Sequence, residues 1–137
     1  MMAKTQGLQA PRNDGYVYVA SPFTHPNPDV MEWRYFAALK YTQELLGQLN
    51  WAFTPIGHCY VMAKLYNLGH EHEFWLQYDK IMIDNAAGMH VLCIDGWKQS
   101  TGVQWEIEYW TRTRPKLPIA YFTPDDEWLA GVRTKFK

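Results

Sequence analysis

His90-Val-Leu-Cys-Ile94, Asp95-Gly96 and Ser100-Thr-Gly-Val-Gln-Trp-Glu106-Ile-Glu-Tyr-Trp110 follow one another along the chain as a short apolar run, a turn pair and a periodic segment. The run is brief, mostly apolar and closed by the turn pair, so it reads as a buried strand. Ser100 offers an N-cap oxygen. Val103, Ile107 and Trp110 recur at helical spacing behind it, which predicts a helix over 100–113. Together they make one strand–turn–helix unit.

The same unit recurs on both sides. Upstream, Tyr16–Ala20 is a β-prone run after Gly15, and Ser21–Pro28 is a loop with three prolines. Asn27 then caps a helix with Pro28 at its first position, running to about Asn50. Trp33, Ala37, Tyr41, Leu45 and Leu49 give it one apolar stripe. Trp51–Thr54 is a short strand closed by Pro55, and Ile56–Leu68 is partly helical up to the break at Gly69. Glu71 to about Asn85 is a further helix with Phe74, Tyr78 and Met82 in step. Downstream, Pro118–Phe122 is a strand, and a last helix starts near Asp125 or Asp126. Strands alternating with helices predict a single-domain α/β fold, Rossmann-like or flavodoxin-like, with a parallel sheet flanked by helices over 15–137. Met1–Asp14 is polar and aperiodic and reads as a flexible tail. In such sheets ligands bind beyond the carboxyl ends of the strands. That singles out Ser21–Pro28, Pro55–Cys59 and Asp95–Gly102.

Composition narrows the function. The 137 residues suit one domain, and 47% are hydrophobic, as in ordinary globular chains. Aromatics reach 16%, with seven Trp and nine Tyr, enough for a core, an interface and a stacking surface for a flat ligand. A net charge of -1 gives no broad basic field for a nucleic-acid polymer or an anionic membrane. Arg112, Arg114 and Lys116 read as a solvated helix end. Two cysteines, Cys59 and Cys93, do not make a disulfide framework, so a reducing, cytoplasmic setting is expected. No apolar run is long enough for a membrane span, and the N-terminus lacks a signal-peptide core.

Several chemistries lack their motif. The first loop has no glycine for a dinucleotide fingerprint, and there is no P-loop and no nucleophile elbow. His70-x-His72, flanked by Glu71 and Glu73 with His58 and Cys59 nearby in sequence, matches no strong zinc spacing and reads as a polar helix start. No metal and no cofactor are expected.

The helix over 100–113 carries the remaining signal. The first-turn amides of Thr101, Gly102 and Val103 form a natural anion site, and Gly102 allows close approach. Glu106 lies four residues after Gly102 and shares a stripe with Val103 and Trp110. A carboxylate therefore sits on an inward face beside an anion site, where it can act as a nucleophile; snorkelling or pairing with an Arg is the equally open alternative. By pattern alone, Asp79 reads as a solvated helix residue and Tyr18 as a core strand residue.

Together these residues resemble the nucleoside 2-deoxyribosyltransferase-like superfamily, from about Tyr16 to Phe122. Tyr18-Val-Ala-Ser-Pro-Phe23 looks like its first strand and loop. Asp79 stands four residues before the apolar Ile83, as the family's Asp does. Ser100-x-Gly102-Val103-x-x-Glu106 resembles the signature that holds the nucleophile. More narrowly, Ala20-Ser-Pro-Phe-Thr-His-Pro26 with Gly96-Trp-x-x-Ser100-x-Gly102-Val103 is similar to a short phage and bacterial branch of unknown function.

The resemblance implies that Glu106 attacks C1′, Asp79 protonates or orients the leaving base, and Tyr18 holds the carboxylate in line. Ser rather than Asp six residues before the nucleophile is the pattern of the nucleoside 5′-monophosphate hydrolases. A phosphate would be held by Ser100, Gly102 and Ser21, with His25 or Arg34 replacing the glycines and Arg absent from the first loop. Phe23 and His58 are the expected base-pocket residues, ahead of Trp33 and Trp75. The implied partners are a small nucleotide or nucleoside and further copies of the chain, as a homodimer or larger. The segment after Phe122 is a candidate for completing a neighbouring site. The leading expectation is therefore N-glycosidic hydrolysis of a nucleoside 5′-monophosphate. Base exchange by a 2-deoxyribosyltransferase and a non-catalytic nucleotide sensor are the alternatives.

Overall fold

β-Branched and aromatic residues at Val17–Ala20, β1, form one of the two inner strands of a four-stranded parallel sheet. A computed structural model of the protein describes residues 14–69 and 71–134, so the expected tail, apart from Asp14, and His70 of the His-x-His pair lie outside the described residues. The elements after β1 are α1 (Pro28–Gly47), β2 (Ala52–Phe53), α2 (Pro55–Tyr66), α3 (His72–Asp84), β3 (Gly88–Leu92), α4 (Thr101–Thr113), β4 (Ala120–Phe122) and α5 (Asp126–Ala130). The order across the sheet is β2-β1-β3-β4. β1 pairs in register Val17↔Ala52 on one side and Val17↔Gly88 on the other. This is the α/β architecture expected from the alternation of strands and helices.

Alternation along β1 divides the core. Val17 and Val19 pack with Tyr35, Ala37, Tyr41 and Leu45 of α1, and with residues of α2 and α5. Tyr18 and Ala20 pack on the opposite face with Ile83 of α3 and with Val103, Tyr109 and Trp110 of α4. Burial of these side chains, each worth roughly 1.5–3 kcal/mol when complete, holds helices against both faces. No helix among the described residues is long and apolar enough to cross a membrane.

Boundaries differ from the pattern where local chemistry intervenes. α1 ends at Gly47, and Leu49 has φ 64, so the last residue of the expected stripe stands in a left-handed turn beyond the helix. Pro55 does more than close β2. It opens α2 behind Thr54, whose hydroxyl accepts from the Gly57 amide at 3.1 Å. The inward face of α3 is displaced from the expected one: Phe74 is turned outward, whereas Ile83 is fully buried.

Candidate active site

β1 lies between β2 and β3, and the chain leaves β1 toward one face of the sheet and β3 toward the other. In sheets of this topology the carboxyl ends of these two strands are where a ligand crevice forms. Tyr18 lies on β1, two residues before its end. Tyr18 has no exposed surface, and its hydroxyl donates to Glu106 Oε2 at 2.6 Å. Short hydrogen bonds to a carboxylate are among the stronger ones.

Glu106 is 7% exposed and faces inward from α4. The ion pairs among the described residues, Lys40–Glu44 and Lys80–Asp84, do not involve it. Burial, and then repulsion from Asp79, push its carboxyl up to about 8, against the opposing pull of the Tyr18 hydroxyl. Burial raises Asp79 to about 7. Asp79 comes from α3, one turn before the fully buried Ile83, and makes no hydrogen bond to another described residue. It is therefore not the solvated helix residue that its sequence pattern suggested. Glu106 is buried and Asp79 half-buried, and with both carboxyl groups raised the pair is not doubly ionised near neutral pH. Tyr18's bond favours the charged form of Glu106. The Tyr18 phenol is itself raised well above its usual value by burial and then by Glu106.

A chain of rings leads away from this pair. Tyr18 lies 6.2 Å from Phe53 of β2, and Phe53 lies 5.8 Å from His58. His58 and Tyr78 are parallel to within 11° at 6.3 Å, and Trp75 stands edge-on to Tyr78. Cys59 and Tyr78 are close enough to perturb each other, and both are raised by burial first. His58 sits on the first turn of α2 and belongs to this wall. Phe23 does not. It packs edge-on against Tyr60 at 5.4 Å, with Trp33 in the same layer, on the α1 side of the sheet. Periodicity gives no facing for a residue in a loop, which is why the expected base-pocket role of Phe23 has no support here.

The crevice mouth is built from the two loops. Ser100 caps α4, its Oγ accepting from the Val103 amide at 3.1 Å. The amides of Thr101 and Gly102 precede the first intrahelical bond, Gln104 N–H to Ser100 O. A Cβ built at Gly102 would meet nothing nearer than Ser100 Oγ at 3.9 Å, so the backbone there is open to approach. Ser21 is 8% exposed, and its hydroxyl has no partner among the described residues. His25 Nδ1 accepts from the Asn27 amide at 3.0 Å, which leaves Nε2 as its donor.

Arg34 is engaged elsewhere. Its guanidinium donates to the carbonyls of Thr24 at 3.0 Å, Phe23 at 3.4 Å and Asp95 at 3.1 Å. The expected phosphate ligand is thus committed to backbone oxygens of both loops. Sequence reasoning missed this role and gave Phe53 and Tyr78 no part in the site, whereas Cys59 ends the Pro55–Cys59 segment it singled out. The Asp95-Gly96 turn pair was the available signal for the first. Among the described residues no three His, Cys, Asp or Glu side chains are grouped to hold a metal ion.

Residues 15–120, a span that takes in every residue of this site, match the model of a family described as a domain of unknown function (DUF1937). No curated protein matches the chain.

Proposed function

The chain belongs to the DUF1937 family, and we propose that it hydrolyses the N-glycosidic bond of a ribo- or deoxyribonucleoside 5′-monophosphate, with Glu106 as nucleophile. The observation that carries this reading is the carboxyl pair: Glu106, buried and held by Tyr18 at 2.6 Å, beside an Asp79 that has no other partner among the described residues. No ion pair among the described residues neutralises Glu106, and a second acid lies near enough to repel it, which suits one nucleophile and one proton donor.

The Glu106 carboxylate attacks C1′ while the bond from C1′ to the base nitrogen breaks. Asp79 gives its proton to the departing base, which leaves neutral. The sugar is then esterified to Glu106 and Asp79 is ionised. Water adds to C1′ and passes its proton to Asp79. The ester bond breaks, Glu106 is restored, and free base and sugar 5-phosphate have formed. A base nitrogen that accepts from Asp79 favours the protonated form of that residue, so it places the charge on Glu106. The resemblance to the nucleoside 2-deoxyribosyltransferase-like superfamily supports the same division of roles.

The amides of Thr101 and Gly102, the open backbone at Gly102 and the Ser21 hydroxyl, which has no partner among the described residues, support phosphate recognition. His58 and Tyr78 supply flat apolar surface for the base. The proposal extends to a homodimer or larger. Leu65, Tyr66 and Ile81 of α2 and α3 are 69%, 81% and 62% exposed, apolar surface of the kind an isologous interface covers.

The test is chromatographic detection of free base from a panel of natural and modified nucleoside 5′-monophosphates, with Glu106→Gln as control. Release by the native protein alone is the expected result. Transfer of the sugar to an added second base in preference to water would replace hydrolysis by base exchange. Tight nucleotide binding with neither product would leave a sensor.

A further inference from the structure

Arg34 is 7% exposed, yet its hydrogen-bond partners are backbone carbonyls in two segments far apart in sequence. We propose that Arg34 is the positioning residue of the crevice: its guanidinium ties the β1–α1 loop to the β3–α4 turn and so fixes Tyr18 relative to Glu106. This goes beyond the glycosidase reading and depends on it only for the activity arm of the test.

The geometry supports a clamp with little slack. One nitrogen reaches Phe23 and Thr24, and the other reaches Asp95. A guanidinium presents its donors in a planar fork, which a lysine ammonium cannot reproduce. The turn lies directly on the fork. A Cβ at Gly96 would sit 2.4 Å from Arg34 Nη2, and Gly96 has φ +92, so both contact and backbone require glycine.

From there the connection to α4 is short and hydrogen-bonded at the amides of Trp97, Gln99 and Ser100. Trp97 N–H donates to Ile94 O at 3.1 Å and Gln99 N–H to Gly96 O at 3.2 Å. Gln104 Nε2 of α4 reaches back to Trp97 O at 3.2 Å. On the other side, Phe23 and Thr24 follow the buried end of β1, which carries Tyr18. Releasing the clamp frees the two ends of the Tyr18–Glu106 bond to separate.

The experiment compares native protein with Arg34→Lys and Gly96→Ala. The readout is the titration of the Glu106 carboxyl, followed by carbon NMR and assigned with Glu106→Gln. The groups facing Glu106 are Tyr18 of β1 and Asp79 of α3, with Tyr78 and Cys59 around Asp79. All four are unchanged in both variants. Loss of the Tyr18 hydrogen bond should move the Glu106 midpoint to a pH higher by about 0.5 or more. Base release should fall about 10- to 100-fold in kcat with KM changed less.

A folded Arg34→Lys variant that keeps the native Glu106 titration overturns the proposal. Should Arg34→Lys fail to fold, Gly96→Ala keeps Arg34 and bears the same two outcomes. The titration needs no substrate. A native protein that releases no base therefore defeats the glycosidase reading and leaves this inference to its own result.

Discussion

Glu106 and Asp79 both titrate above the usual carboxylate range, and the activity proposed for them should show it. With the pair titrating at about 7 and about 8, base release is expected to follow a bell-shaped pH profile centred near neutrality. The acid limb reports loss of the nucleophile, and the alkaline limb loss of the proton donor. Asp79→Asn removes the repulsion, so ionisation of Glu106 should move to lower pH and the alkaline limb should disappear. A pH–rate series on native and variant protein checks both. Glu106→Gln should lower base release by about 10³-fold or more while nucleotide binding, measured by calorimetry, changes little. Glu106 was legible in sequence because it shares a helical stripe with Val103 and Trp110. Asp79 was legible only through the resemblance: a lone Asp on a half-polar helix carries no sign of which way it faces. Its orientation is set by Ile83, one turn away and completely buried.

α4 combines a cap, an open first turn and the proposed nucleophile within a single element. Ser100→Asp keeps a capping oxygen but sets a negative charge where phosphate is proposed to bind. KM for a monophosphate should therefore rise relative to that for the matching nucleoside, in steady-state kinetics on the two substrates. An unchanged ratio would move phosphate recognition to another part of the crevice. The turn ahead of α4 admits less change. Gly96→Ala combines a strained φ with a 2.4 Å approach to Arg34, and a loss of about 1–3 kcal/mol is expected in denaturant unfolding. Helix and strand positions were readable because apolar spacing and Pro or Ser caps are local. The clamp was not, since Phe23, Thr24 and Asp95 contribute carbonyls, which every residue has, and only the fold brings them to Arg34.

The fold as a whole places a destabilising group at its centre. Both carboxyl groups have pKa values raised above their ordinary ones, so the folded chain holds protons that the unfolded chain has already released. That difference opens near pH 4 and closes above about 8, and every tenfold difference in proton affinity between the two states corresponds to about 1.4 kcal/mol. Stability is therefore lost as pH rises through that window. Thermal unfolding should show Glu106→Gln melting above the native protein at pH 8.5, with the gap narrowing toward pH 5. Equal melting points at both values would mean that Glu106 is not buried as charge. The parallel order β2-β1-β3-β4 was foreseeable only as a class, because strand neighbours depend on where the crossovers go. α4 also works as a ruler. Ser100 and Glu106 are six positions apart on one rigid rod, about 9 Å at 1.5 Å per residue. One inserted residue between them would turn the carboxylate by about 100° and aim it away from Tyr18. A change of even one residue between Ser100 and Glu106 should therefore abolish the base release proposed for the chain.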